Sequence, residues 1–303
     1  MPEGDTLFRT AEVLRAVLVG RAIVAARGRP GGARLAMLEG RTVEGVEARG
    51  KHLLVGASGG LTLHTHLGMH GSWHRYGIGE PWRRSPRDAV AVIEVPGAVA
   101  VCFSAPTVEL VETRALAVHP ALSRLGPDLL AAPHAARRAA DEATRAPDEP
   151  ARATDAPDSH ADDAEMLRRL RHPARAGVAI GDALLDQRAL AGIGNVYRSE
   201  VCFVERVDPF APVTALDDPM LLRLVRTARR LLRANAHDPF RATVDPRVPV
   251  PSARARLWVY GRTGRPCRRC GALIRGAIGG PNARRVYWCP GCQPAITPVR
   301  RTT

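Results

Sequence analysis

Lysine is almost missing from this 303-residue chain: of its forty-four basic residues forty-three are arginine, and Lys51 stands alone. GC-rich coding would replace lysine wherever arginine serves equally well. A compact ammonium and a planar guanidinium fork are not interchangeable at a site, so Lys51 marks a position where a point charge is wanted. Also absent are a run of eighteen apolar residues and a basic N-terminal region followed by an apolar core. From these absences neither a membrane-spanning helix nor a secretory leader is expected. The expectation is a cytoplasmic protein with no membrane partner. Residues 131–164 hold no Val, Ile, Leu, Met or aromatic residue. Such a stretch cannot bury a core and reads as an acidic, solvated linker or insertion. It separates a domain over 1–130 from one over 165–253, with a last region over 254–303. The chain as a whole is 45% hydrophobic, enough for real cores.

What is present is charge of one sign, unevenly placed. Residues 1–133 carry fifteen basic and twelve acidic groups, 134–200 ten and twelve, and 201–303 nineteen and six. Of the formal +14, thirteen charges therefore lie in the last third. A field of that size suits a polyanion, and nucleic acid is the commonest one.

In chain order, Leu7, Ala11, Leu14 and Leu18 recur at helical spacing, predicting a helix over Asp5–Val19 with Asp5 or Thr6 as its cap and Gly20 ending it. From Arg21 to Leu116 short Val- and Leu-rich runs are broken by Gly and Pro. Leu61, Leu63, Thr65 and Leu67 alternate with Thr62, His64, His66 and Gly68, the period of a strand with one buried face, and several such runs argue for a sandwich or barrel. Beyond Met166 the pattern is helical. Helices are expected over Ile180–Gln187 and Asn195–Val204 with a glycine-bearing turn between, and over Pro219–Asn235 with Asp218 as cap. In the last of these Leu221, Leu224, Ala228, Leu231 and Leu232 face a core.

Near the end stands Cys267-x2-Cys270-x18-Cys289-x2-Cys292. Two such knuckles fit one tetrahedral zinc, and four thiolates leave no open position, so the zinc is structural. Cys102 and Cys202 sit in apolar runs as buried thiols. Arg284 and Arg285, in the hairpin between the knuckles, are placed to reach a phosphate. His64, His66, His70 and His74 have no acid or cysteine at ligand spacing and read as polar face residues rather than a metal site. The first residues, Met1-Pro2-Glu3-Gly4-Asp5, complete the inventory. Removal of Met1 exposes a secondary amine beside a carboxylic acid, a nucleophile next to a proton donor.

Together these pieces resemble the formamidopyrimidine-DNA glycosylase and endonuclease VIII family of base-excision repair enzymes, most of all its actinobacterial endonuclease VIII branch. The resemblance rests on PEGDT at the start, RGKHLL around Lys51, HLGMHGSW at 66–73, LGPDLL at 125–130, LLDQRALAGIGNVYRSE at 184–200, LWVYGRTGRPC at 257–267, and YWCPGCQ. It implies a multidomain α and β fold: an N-terminal β-sandwich with a leading helix, a helix-two-turns-helix domain, and a C-terminal zinc-finger β-hairpin. It also implies a DNA glycosylase and abasic-site lyase that removes oxidised bases, pyrimidines foremost, from double-stranded or single-stranded DNA, acting as a monomer. Pro2 matches the family's nucleophile and Glu3 its proton-transfer residue. Lys51 matches a phosphate-binding lysine required for full activity, Asn195 a phosphate-gripping residue, and Arg284, with Arg285 beside it, the zinc-hairpin arginine. Met69 matches a wedge that fills the space of an extruded nucleotide. HLGM is closer to the formamidopyrimidine branch, whereas PEGDT and YWCPGCQ favour endonuclease VIII. A DNA-binding zinc-ribbon protein without chemistry and an RNA-associated zinc protein are the competing classes; the second gives Pro2 and Glu3 no task.

Overall fold

The computed structural model describes residues 2–131, 158–245, 247–248, 256–280 and 283–295, and divides the chain into two compact units, Met1–Leu125 and Gly126–Thr303.

The first unit opens with helix α1 (Gly4–Leu18), whose Leu7, Ala11, Leu14 and Leu18 are all buried. Each leucine removed from water contributes about 2 kcal/mol. The helix begins one residue earlier than its apolar spacing shows. Glu3 is the cap residue, and its carbonyl accepts from the N–H groups of Thr6 (2.9 Å) and Leu7 (3.1 Å). Asp5 works inside the first turn, its Oδ1 accepting from Thr6 N–H at 2.7 Å.

Eight strands follow: β1 (Ala25–Gly28), β2 (Val43–Arg49), β3 (His52–Ala57), β4 (Leu61–His66), β5 (Ser72–Tyr76), β6 (Ala89–Val95), β7 (Ala98–Phe103) and β8 (Thr107–Glu112). They form two antiparallel sheets, ordered β1-β6-β7-β5 and β2-β3-β4-β8. Their inner faces share one core with α1, including Leu53, Val55, Leu63, Ile93 and Ala100. This is the expected sandwich, with one difference at β4. Thr62 and His64, on the face expected to meet water, are buried at 2% and 1% exposure. The turn Thr113–Val118 after β8 leads back across that face, with Thr62 and Thr113 hydroxyls 2.9 Å apart and the His64 and His119 rings at 4.9 Å.

The second unit is helical with a terminal hairpin: α2 (Asp158–Leu170), α3 (Ile180–Leu185), α4 (Asn195–Val204), α5 (Asp218–Ala234), then β9 (Arg275–Gly279) paired with β10 (Arg284–Trp288). Helix α5 buries the five expected apolar residues. Its cap is Asp217 rather than Asp218, the Asp217 carboxylate accepting from Met220 N–H at 2.8 Å.

Most of the acidic segment expected at 131–164 lies outside the described residues. Its end does not behave as a linker, because α2 begins at Asp158. What holds that end is a carboxylate: Asp163 is buried and bonds Arg226 (2.8 Å) and Arg229 (3.2 Å) of α5. A search for apolar residues passes over such an anchor. Among the described residues no helix is long and apolar enough to cross a membrane.

Candidate functional site

In the first unit, Glu3 is wholly buried at the head of α1, with Pro2 half-buried beside it and Met1 outside the described residues. A carboxylate at a helix N-terminus sits at the positive end of the helix dipole. The fold therefore places a buried acid directly after Pro2.

Lys51 lies at the tip of the β2–β3 hairpin. Arg49 and His52 pair across a two-residue turn, Gly50-Lys51, in which Gly50 adopts a φ of 61°. A glycine there supplies the left-handed backbone that a tight hairpin needs. Lys51 is thus on a turn rather than within a strand, its backbone fixed by the closest pairing the two strands allow. Next to it, burial first and then His66, His64, His119 and Lys51 hold the His52 imidazole down at about 3, so the ring is neutral at pH 7.

Met69 is 60% exposed, on the loop between β4 and β5. That loop is tightly drawn. Gly68 has a φ of 58°, and a Cβ there would meet Pro106 Cγ at 2.8 Å; one at Gly71 would lie 2.3 Å from Leu67 O. Arg84 holds the same loop through His70 O at 3.1 Å. A cavity of about 280 Å³ lies between α1 and the loop, lined by Thr6, Thr10, Leu67, Gly71 and Trp73. Helix α1, which Pro2 and Glu3 precede, and the loop that presents Met69 therefore border one hollow, lined by neighbours of these three residues rather than by the residues themselves.

In the second unit the turn before α4 is built by its own side chains. Gln187 Nε2 donates to Leu185 O (2.8 Å) and Ile193 O (2.9 Å), while its Oε1 accepts from Gly192 N–H at 3.1 Å. The LGPDLL stretch braces it. Gly126 N–H bonds Gln187 O, Ala191 N–H bonds Pro127 O, and a Cβ on Gly126 would press to 2.4 Å from Ala189 O.

Asn195 opens α4 almost buried, its amide donating to Arg285 O at 3.0 Å and its Oδ1 accepting from Arg198. Arg198 is fully buried. It pairs with Asp182 at 2.9 Å and reaches the Arg284 and Arg285 carbonyls at 3.5 and 3.4 Å. Burial pulls its guanidinium below the usual range and Asp182 opposes that. These bonds fasten the β9–β10 hairpin to the start of α4. Arg284 and Arg285 follow each other on β10, so they point to opposite faces; Arg285 folds back to donate to Gly276 O at 3.1 Å.

Glu200, also fully buried, accepts from the N–H groups of Trp258 (2.8 Å), Val259 (2.9 Å) and Tyr260 (2.8 Å) and from the Thr243 hydroxyl. This pins to α4 the segment leading to Cys267. Arg198, Glu200 and Gln187 were not singled out from the sequence. The available signal was ionised residues inside an otherwise apolar helix, with Asn195 and Arg198 one turn apart on one face.

The four cysteine sulfurs of 267, 270, 289 and 292 converge, all within 4.8 Å of one another, with Cys267–Cys292 at 3.9 Å and Cys270–Cys289 at 3.4 Å. A tetrahedral ion with sulfur bonds of about 2.3 Å sets its ligands about 3.8 Å apart, so the donor set fits one metal ion. A hydrogen bond from Ala272 N–H draws the Cys270 thiol below its ordinary value, while burial pushes Cys289 and Cys292 up. Cys102 and Cys202 are buried, and burial raises both thiols, Cys202 to about 12.

Comparison with known proteins adds the following. A model of the formamidopyrimidine-DNA glycosylase N-terminal domain matches residues 1–107, and one of the formamidopyrimidine-DNA glycosylase H2TH domain matches residues 153–238. The chain is 40% identical over 307 residues to "Probable endonuclease 8 2" of Streptomyces coelicolor, covering 100% of this chain and 98% of that protein. It is 39% identical over 296 residues to "DNA-(apurinic or apyrimidinic site) lyase Nei2" of Mycolicibacterium smegmatis, covering 97% of this chain and 100% of that one. The fold is similar to the Lactococcus lactis Fpg solved with abasic-site DNA, with a TM-score of 0.73 at 21% identity over 97% of this chain and 100% of that one.

Proposed function

The chain belongs to the formamidopyrimidine-DNA glycosylase and endonuclease 8 family, and from that membership we propose that it is a bifunctional DNA glycosylase and abasic-site lyase. It acts in base-excision repair on oxidised bases, pyrimidines foremost, as a cytoplasmic monomer bound to damaged DNA. One observation carries the reading. In a chain that matches endonuclease 8 relatives from end to end, Pro2 adjoins a wholly buried Glu3 at the head of α1.

With Met1 removed, the Pro2 nitrogen attacks C1′ of the damaged nucleotide. The bond from C1′ to the base breaks, the base leaves with a proton relayed by Glu3, and the sugar ring opens to an iminium linking Pro2 N to C1′. Loss of a C2′ proton expels the 3′ phosphate, a second elimination expels the 5′ phosphate, and water frees Pro2. Magnitudes favour this amine over Lys51. A terminal amine of pKa ~8 is roughly a tenth neutral at pH 7, whereas a lysine at ~10.4 needs about 3 kcal/mol more help from its surroundings.

Lys51 is better used charged, on a phosphate. Asn195 and the N–H groups opening α4, with Arg284, hold further phosphates. Met69 fills the stack that the flipped nucleotide leaves. Cys267, Cys270, Cys289 and Cys292 would hold one structural zinc, which supplies rigidity to the hairpin carrying Arg284 and no chemistry to the reaction.

The test is incision of oligonucleotides bearing one oxidised pyrimidine, as duplex, bubble and single strand. The expected result is base release with phosphate left on both sides of a one-nucleotide gap. Tight, salt-dependent binding with an intact strand and no free base would leave a DNA-binding protein without chemistry.

A further inference from the structure

We propose that His64, Glu109 and His119 form a second metal site, for a borderline divalent cation of the zinc, nickel or cobalt kind. The three come from separate places in the chain: β4, its partner β8, and the residue after the Thr113–Val118 turn. Antiparallel register sets His64 directly opposite Glu109. Glu109 Oε2 lies 2.9 Å from His64 Nδ1 and 3.0 Å from His119 Nε2, and all three donor atoms fall within 4.8 Å of one another.

Ligands around a tetrahedral ion at about 2.0–2.1 Å are about 3.3 Å apart. The two contacts to the carboxylate therefore need to open by only a few tenths of an ångström, and the two imidazole nitrogens, within 4.8 Å of each other, take the same spacing when an ion draws them in. Two imidazoles and a carboxylate suit borderline cations; magnesium and calcium prefer oxygen alone.

The surroundings are those of a built ligand shell. His64 is 1% exposed, on a strand covered on both faces, and its second ring nitrogen sits 2.8 Å from His52 Nδ1. A metal-bound imidazole characteristically has such an outer hydrogen bond, which fixes its tautomer and direction. The Glu109 side chain is 46% exposed, giving an ion a way in and leaving a fourth position for water.

Without an ion, the two rings donate to the carboxylate between them. With one, each neutral ring turns a lone pair inward and carries its proton on the far nitrogen, His64 Nε2–H donating to His52 Nδ1 and the neutral His52 ring carrying its own proton on Nε2. His119 then gives up only the contact from Ala121 N–H to its Nδ1, already long at 3.3 Å. No acid stands at ligand spacing from these histidines in the sequence; the carboxylate that meets His64 lies forty-five residues away. His66, His70 and His74 are not among these ligands, and His74 stands on β5 in the other sheet.

The experiment is a cobalt titration of full-length, metal-stripped protein, read by absorbance and by bound cobalt per chain. Two equivalents are expected. One shows thiolate-to-cobalt charge transfer from the cysteine cluster, and the other shows none. His119→Ala should lose the second while keeping the thiolate band and the far-UV dichroism. Glu109→Gln, which keeps the shape, should weaken it by about tenfold or more, since even outer partners of metal ligands are worth that much. If His119→Ala fails to fold, the decision rests on Glu109→Gln. A single thiolate equivalent in the wild type, or a second that survives these substitutions unchanged, overturns the proposal.

Discussion

Replacing Glu200 with glutamine changes one oxygen to an amide and nothing else in shape, yet it strikes the joint between α4 and the segment that leads to Cys267. Each oxygen of Glu200 accepts two bonds. Oε1 takes Val259 and Tyr260 N–H, and Oε2 takes Trp258 N–H and the Thr243 hydroxyl. Turned the better way, glutamine keeps Oε1 on Val259 and Tyr260 and sets its NH2 against Trp258 N–H. The Thr243 hydroxyl can rotate to accept; the Trp258 N–H cannot. One buried donor left unpaired costs about 1–3 kcal/mol, and the remaining bonds lose their charge assistance, so the total is about 3–5 kcal/mol. Native-state hydrogen exchange measures this where it acts. The amides of Trp258, Val259 and Tyr260 should exchange about a hundred to a few thousand times faster in Glu200→Gln, with strands β3 and β4 of the first unit unchanged. A change under about fivefold at all three amides would refute the reasoning.

Other outcomes follow from single features. Retaining Met1 should abolish covalent trapping on abasic-site DNA while nonspecific DNA affinity stays within about twofold; trapping that persists would give the nucleophile's place to another amine. Arg284→Ala should lower the slope of log affinity against log salt by about one, and Arg285→Ala should not, because the Arg285 guanidinium is turned back onto Gly276 O; equal effects would contradict that assignment. Native, zinc-loaded protein should show no fast reaction with a thiol reagent, chelation should release the four clustered cysteines, and denaturant should add Cys102 and Cys202; early reaction of either buried thiol would count against its burial. Gly68→Ala, with a left-handed φ and Pro106 in the way, should destabilise the first unit by about 1–3 kcal/mol in denaturant unfolding. A neutral result would mean the Met69 loop is slacker than its geometry.

Local patterns were legible in the sequence and long-range ones were not. Helix α4 runs over Asn195–Val204 as its spacing indicates, and α5 buries the leucines that its periodicity assigns to the core. The cysteine knuckles announced their convergence because ligand spacing is itself a local code. What escaped depended on partners far along the chain. The start of α2 rests on Asp163 meeting arginines more than sixty residues later. The second buried face of β4 exists only because the turn after β8 leads back across it. Glu109 and His119 reach His64 through strand register and that turn, and the burial of Arg198 and Glu200 depends on the hairpin and the Trp258 segment, which lie far along the chain. Of the adjacent arginines the resemblance picks Arg284 with Arg285 beside it; their alternation on β10 sets the two on opposite faces.

The central claim is that the Pro2 nitrogen is the reacting amine, and peptide mapping of the borohydride-trapped adduct tests it most directly. Met1-free protein reduced on abasic-site DNA and digested should carry the sugar remnant on the N-terminal peptide, at Pro2 nitrogen, with Lys51 unmodified. An adduct on Lys51, or none in folded, zinc-loaded protein, would contradict the account.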